Sequence, residues 1–462
     1  MGDDLALTRQ GGPSALWPAI ALFGLVSVIS CVYGFQYLVP STGLTSYFAV
    51  ASVPFAVLLA ALTWKALGRH PEVVCPVSIQ AILGFVLMSA SVASTIYFWS
   101  SVLRPVPWGP VAAGTVIVAW LCHKQWGARG STCAYTCVMF LFFSLLIWRV
   151  PHAEGANMLE IIEAGSRELI AGRNPFRPFP SIAGDAPFGY LPALWAPYIP
   201  MVWLGLDVRI LNLALLAALI VLFERGFPWA IRPETLAVTF YPLAFCSTFA
   251  AMIAHGHVWT YWLYIGACGM LLLRKRYSAA SIFFGLALAA RQPALFLVAP
   301  LAVFLYCNCG LLKTIRYAAI ALGVYALLVA PALLWAGPAF IENAYFKLAD
   351  IIKLGDQDPF LGAQAWLDFA GTKAKMVYVQ LALIGGAAVA VFITVRNDAV
   401  RLLLLLGAAY SWLVFTAFYS IRYEYIPGFL LISIALSALY ANSPFYHRPS
   451  SRGLSPNTKL QQ

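Results

Sequence analysis

The sequence predicts an all-α, polytopic membrane protein with about 14 spans. Three observations predict it. Of its 462 residues, 61% are hydrophobic and 10% are charged, where a soluble domain carries roughly 25% charged residues. The mean hydropathy is +0.81. Apolar runs of about 17–25 residues recur along the chain, each long enough to cross a ~30 Å hydrocarbon layer as a helix. A membrane β-barrel would show ~10-residue alternating segments instead. The net charge of +11 sits on loop lysines and arginines. It marks topology and contact with anionic lipid headgroups, and no nucleic-acid partner is expected.

The first apolar run, Leu16 to Val39, is too long for a signal-peptide core and lacks a small-residue cleavage site, so a permanent helix is expected. No lipidation motif is visible at either end. Spans 16–37, 45–64, 75–98 and 107–122 form an N-terminal four-helix extension over 1–131. Spans 132–148, 209–223, 234–252, 257–273, 279–291, 293–308, 317–336, 376–395, 401–419 and 425–441 form a core over 132–441. A basic tail, 442–462, follows. Lys and Arg cluster in alternate short loops: Lys65 with Arg69, Lys124 with Arg129, Arg225 with Arg232, Arg274-Lys275-Arg276, Lys313 with Arg316, and Arg396 with Arg401. The positive-inside rule places these loops and both termini in the cytoplasm, and a bacterial inner membrane is the expected location. Residues 189–205 break the alternation. They are apolar but hold Pro192, Pro197 and Pro200, and a full crossing would turn Arg225 and Arg232 outward. They are expected to form a re-entrant or interfacial helix pair broken by proline.

Two long loops, 149–188 and 337–375, then fall on the outer side. They hold Glu154, Glu160, Glu163, Glu168, Asp185, Glu342, Asp350, Asp356, Asp358 and Asp368, out of 18 acidic residues in all. A proton-coupled transporter places carboxylates at mid-membrane; acids gathered at the outer surface favour an enzyme working there. The 9 cysteines lie mostly within or beside apolar runs. Cys307 and Cys309 have no second pair to complete a metal site, and the long loops hold no cysteine for a disulfide framework.

Several side-chain groups could carry chemistry. Glu160, Glu163 and Arg167 fall at i, i+3 and i+7 and so share a helix face; that helix should end near Gly172, with Pro175 following. Two readings stay open: an amphipathic helix on the headgroups with a solvated charged face, or a carboxylate acting as general base towards an acceptor hydroxyl. Arg291 is expected at the tip of a tight helical hairpin, with Pro293 starting the return. It is either a clamp on a lipid phosphate, which a guanidinium matches bidentately, or a snorkelling or carbonyl-bonded arginine. Arg422 is a second clamp candidate or the ion-pair partner of Glu424. His255 and His257, at i, i+2, do not share a helical face and have no third ligand fixed by sequence; they are helix-entry polar residues or contacts to sugar hydroxyls or phosphate. Asp356-Gln357-Asp358 has the spacing of a metal clamp for nucleotide sugars, but nucleotide sugars are cytoplasmic and this loop is outside, so a solvated surface loop is expected. Tyr190, Trp195, Tyr198 and Trp203 suit an interfacial aromatic belt, stacking on sugars, or a polyprenyl groove.

A set of motifs, in order along the chain, carries a family resemblance. Glu163-Ala164-Gly165 followed by Leu169-Ile170-Ala171-Gly172-Arg173-Asn174-Pro175-Phe176 resembles the loop segment "AA…LL-x-G-x-NPY" of GT-C glycosyltransferases. Phe188-Gly189-Tyr190-Leu191-Pro192 stands where those enzymes have an aromatic-Pro-Pro-Leu stretch, and Asp207-Val208-Arg209 resembles a recurring DVR. Ala254-His255-Gly256-His257-Val258 resembles a "QGQV" or "GHV" helix entry. Gly285-Leu286-Ala287-Leu288-Ala289-Ala290-Arg291-Gln292-Pro293 resembles a "GLALA" run. Over roughly residues 132–310 the chain is similar to the group around glycosyltransferase family 87, whose members use polyprenyl-phosphate sugars to transfer mannose or arabinofuranose.

The resemblance implies a GT-C-like helix bundle and inverting transfer of a sugar from a polyprenyl-phosphate donor to a lipid, glycan or protein acceptor. Glu160, then Glu154 or Glu163, are the base candidates. Arg291, Arg422 and Gln292 are the candidates for the donor phosphate, and Asn174, Asp185, Tyr190, His255 and His257 for substrate contact. No cofactor is required; a divalent metal is possible but not indicated. Met158 stands where such enzymes carry an aspartate. Three other readings remain open: a non-catalytic lipid-binding GT-C-like subunit, an O-antigen polymerase or ligase, and a lipid or glycan transporter.

Overall fold

The computed structural model describes residues 17–36, 41–67, 77–99, 108–150, 158–176, 179, 188–347, 369–395, 398–417 and 422–441. These residues are helical with connecting turns and contain no strand. Among them, 6 helices are long and apolar enough to cross a membrane: Ser78–Tyr97, Gly109–Arg149, Gln292–Cys309, Leu311–Ala336, Val377–Val395 and Tyr423–Ala441. Others, including Trp259–Leu273, Tyr277–Leu288 and Ala399–Phe415, are apolar but shorter. Glu154, Asp185 and Asp356-Gln357-Asp358 lie outside the described residues.

Burial ranks the helices. The Tyr423–Ala441 span is 94% buried and forms the centre of the bundle, while Leu311–Ala336 and Val377–Val395 are 17% and 11% buried and present apolar faces outward. The central helix packs against Ala399–Phe415 through Gly407 and Gly428. A Cβ on Gly407 would lie 2.5 Å from the Gly428 carbonyl oxygen. Small residues of this kind let helix backbones close up where lipid offers no hydrophobic drive.

Helix Trp108–Arg149 is two limbs joined at Gly127, whose φ of 64° no helix interior allows. His123 Nδ1 and Ser131 Oγ are 3.2 Å apart, whereas a continuous helix would separate them by about 12 Å. Gly130 also lies so close to the Cys122 carbonyl that a Cβ would overlap it. The chain therefore reverses here, between the expected spans 107–122 and 132–148.

The expected single span 234–252 is instead three short helices, Pro233–Thr239, Tyr241–Ala244 and Ser247–His255. Pro242 cannot donate to a continuing helix and sits in the first turn of the next one. Neighbouring helices satisfy the carbonyls freed at the breaks. Ser433 donates to Thr239 O at 2.6 Å, Ser91 to Pro242 O at 2.9 Å and Thr95 to Phe245 O at 2.7 Å. Irregular backbone at membrane depth is tolerated where protein groups re-satisfy it in this way. Two of those donors come from the N-terminal helix Val77–Trp99, which also brings Gly84 against Ala237.

The proline-rich stretch after Leu191 is a broken helix in pieces of 4, 3 and 5 residues, Pro192–Trp195, Ala196–Tyr198 and Ile199–Trp203. At ~1.5 Å per residue it is about 18 Å long, well short of a ~30 Å hydrocarbon core. The basic turns gather at helix ends. Arg274 donates to the carbonyls of Arg225 and Phe227, both at 2.8 Å, and Arg401 donates to that of Leu67 at 3.2 Å.

Candidate functional site

The helix ends away from those basic turns converge on one buried polar cluster. Helix Tyr277–Leu288 stops short of Arg291, whose backbone is extended (φ −150°, ψ 140°) before the turn Gln292–Leu297 that carries Pro293. The short link aims the arginine into the bundle instead of along its surface. Arg291 Nη1 lies 2.7 Å from Glu424 Oε1, with side chains 12% and 8% exposed. Glu424 belongs to the turn Arg422–Tyr425 at the head of the central helix, one turn above the Gly407–Gly428 contact. The guanidinium carbon also lies 5.8 Å from the centroid of the Tyr423 ring, within cation–π range. Below the pair, the buried hydroxyls of Tyr261 and Tyr410 are 3.1 Å apart.

His257 closes the other side. It is 1% exposed, and neither ring nitrogen has a hydrogen-bond partner among the described residues. Its ring lies 4.5 Å from that of Tyr190, and both groups feel the charge of Arg291. Burial pushes the Tyr190 phenol up to about 12, with Arg291 pulling it the other way, so it stays protonated. An unpaired buried imidazole is costly, and buried polar groups are normally satisfied; among the described residues, both His257 nitrogens are open to a partner.

The turn that presents His257 is held by a network the sequence reading missed. Asn212 Nδ2 donates to the carbonyls of Met252, Ile253 and Gly256, at 3.3, 3.1 and 2.9 Å, while Tyr198 donates to Asn212 Oδ1 at 2.7 Å. Trp259 Nε1 donates to Met252 O at 2.8 Å. Helix Ser247–His255 thus ends on side-chain donors, and the broken proline stretch is tied to it through Tyr198. Ala193 N also donates to Ala289 O at 3.0 Å, next to Arg291.

The remaining sequence candidates fall in different places. Glu160 and Glu163 lie on helix Met158–Ile170, which ends as expected at Gly172 (φ 71°). Glu163 pairs with the exposed Arg167 at 2.5 Å, and Glu168 binds Arg173 through two contacts of 2.7 and 2.9 Å. Glu160 has no side-chain partner among the described residues, and it lies roughly 200° around the helix from Met158. Met158, on the same helix, touches the cluster, its sulfur 3.8 Å from the Tyr423 hydroxyl. Asn174 Oδ1 accepts from Phe176 N at 2.9 Å, closing the turn of the Asn-Pro-Phe motif, and Asn343 Nδ2 binds Phe176 O at 3.0 Å. Gln292 Nε2 donates to Ala344 O at 2.5 Å, so backbone occupies it. His255 stacks on Trp99, 6.1 Å between centroids, away from Tyr190. Glu424 pairs with Arg291; Arg422 opens the turn, and its side chain lies outside the described residues. An acid heading the apolar run to Ala441 was the available signal for Glu424.

An apolar cavity of about 220 Å³ lies between helices Trp259–Leu273, Tyr277–Leu288, Val298–Cys309 and Leu311–Ala336. Leu272, Phe284, Val298 and Leu322 line it. Its lining includes Leu288 and Leu295, on either side of Arg291 in the chain, and Tyr277, Thr314 and Tyr317, beside the basic turns. Comparison with family models, curated proteins and solved structures returns no match for this chain.

Proposed function

We propose that the protein is an integral membrane glycosyltransferase. It moves a sugar from a polyprenyl-phosphate donor to a lipid, glycan or protein acceptor at the outer membrane surface, with inversion. The observation that carries this reading is the buried Arg291–Glu424 pair facing an unpartnered His257. A guanidinium and an unsatisfied imidazole together suit a phosphate group whose charge grows as its bond to the sugar breaks. The apolar cavity, whose lining reaches Leu288 and Leu295 on either side of Arg291 in the chain, suits an isoprenoid chain attached to that phosphate. The ordered motifs from Glu163 to Pro293 support the same reaction class. The proposal includes the full topology: about 14 crossings, the 189–205 stretch re-entrant, and both termini cytoplasmic.

A second reading is favoured by one observation. Met158, lacking a carboxylate, is the residue that the loop helix brings to the cluster, as expected for a lipid-binding subunit without catalysis. The deciding experiment uses full-length protein in lipid vesicles, a panel of polyprenyl-phosphate sugars, and membrane extract as acceptor source. Wild type is expected to release polyprenyl phosphate from one donor. Arg291→Ala should lose ~10²-fold or more of that turnover, and His257→Phe should weaken donor binding. Donor binding without release, from any sugar, would establish the lipid-binding subunit instead.

A further inference from the structure

We infer that Glu424, not an acid of the loop helix, takes the proton from the acceptor hydroxyl, and that the Arg291–Glu424 ion pair is the resting state which the donor phosphate opens. This rests on the transferase reading above.

The loop helix directs its own carboxylates elsewhere. Met158 contacts Tyr423, and the buried side chains Leu159, Ile162 and Ser166 share its side of the helix. Glu160 therefore points away from the cluster, and Glu163 is engaged by Arg167. The side chain that meets Met158 is the immediate neighbour of Glu424. The acid missing from position 158 is thus supplied, within the same cluster, from the head of the central helix. Glu424 is the buried carboxylate there, 6% exposed.

The charges balance at each stage. At rest the arginine and the carboxylate neutralise each other in a dry site. A guanidinium carries five N–H donors, and Glu424 is the one ion-pair partner of Arg291 among the described residues. A sugar phosphodiester, with a single negative charge, can take up the remaining donors and draw Arg291 from Glu424. In the transfer, the acceptor oxygen bonds to the anomeric carbon while the bond from that carbon to the phosphate oxygen breaks. The electron pair stays on the phosphate, which becomes a dianion held by Arg291. The acceptor proton passes to Glu424. No oxidant, metal or further reactant is needed. His257, whose ring nitrogens have no partner among the described residues, could hold the phosphate or a sugar hydroxyl.

The test uses the full chain in lipid vesicles with the donor that wild type turns over, and reads donor binding and turnover separately. Glu424→Gln is expected to lower kcat by ~10²-fold or more while the donor still binds. Glu160→Gln should stay within about threefold of wild type, because that side chain lies on the other side of its helix from Met158. Because Glu424→Gln leaves Arg291 without its partner and can fail to fold, Glu424→Asp is the second variant. It keeps the charge, withdraws the carboxylate by one methylene, and should lose at least tenfold in kcat with donor KM unchanged. Wild-type kcat in a folded Glu424→Gln or in Glu424→Asp overturns the inference and leaves the transferase reading standing. So does loss of donor binding without loss of kcat, which would make Glu424 only the structural partner of Arg291. A wild-type protein that releases no polyprenyl phosphate overturns both.

Discussion

Arg291 and Glu424 set the energetics at the scale of single residues. A buried charge left alone is far more costly than a buried pair, and replacing both members by apolar groups is often neutral. Arg291→Leu and Glu424→Leu should each destabilise the protein by about 3–5 kcal/mol, and the double variant by much less than their sum. Unfolding in mixed micelles as a double-mutant cycle measures this, and additive losses would show that the two charges are not coupled. The arginine was legible in the sequence because a cation beside an apolar run has few explanations. Its partner was not: Glu424 has Arg422 two residues away, and local spacing points to that neighbour. Only the packing of two distant helix ends decides for Arg291.

Among elements, the broken segment from Pro233 to His255 carries the site. Its freed carbonyls are met by Ser433, Ser91 and Thr95, and its C-terminal turn by Asn212. Asn212→Ala removes donors from three carbonyls and strands the Tyr198 hydroxyl. The expected loss is about 2–3 kcal/mol, seen as a lower unfolding midpoint, together with weaker donor binding because the His257 turn loses its support. An unchanged midpoint would mean the turn holds itself. Gly84 tests the contact made by the N-terminal helix: an added Cβ would sit 2.6 Å from that of Ala237, whereas at Gly114 nothing lies within 4 Å. Gly84→Val should therefore cost about 1–3 kcal/mol more than Gly114→Val in the same unfolding assay. Hydropathy located this apolar stretch but expected one continuous helix. Pro242 was visible, yet whether a proline kinks a helix or divides it depends on what neighbouring helices offer the freed backbone.

The whole molecule sorts its charges by end. Arg274 ties its turn to that of Arg225, Arg401 binds the carbonyl of Leu67, and the polar cluster lies at the opposite helix ends. Under the topology proposed from the positive-inside rule, the cluster would face outward. In a cysteine-free background, Lys313→Cys should react with a membrane-impermeant maleimide only after the cells are permeabilised, and Glu163→Cys in intact cells. Labelling of both from one side would overturn the proposed topology. The N-terminal helices had no role readable from sequence. Trp412 Nε1 binds Thr63 Oγ1 at 3.0 Å and Thr235 binds Gln80 at 3.0 Å, so these helices pack directly on the rest of the bundle.

Composition alone determined that the chain is helical and built for a membrane, because removing backbone from water leaves helices as the economical way to satisfy it. Loop charges determined the expected alternation of sides, and glycine and proline positions marked the turns at Gly172 and Arg291. Tertiary structure decided which polar groups meet. Arg291 with Glu424, Met158 with Tyr423, and Asn212 with the turn before His257 are pairings between segments far apart in sequence. Burial in a low-dielectric interior gives such pairings their strength, and it depends on how helices pack, which local spacing does not encode.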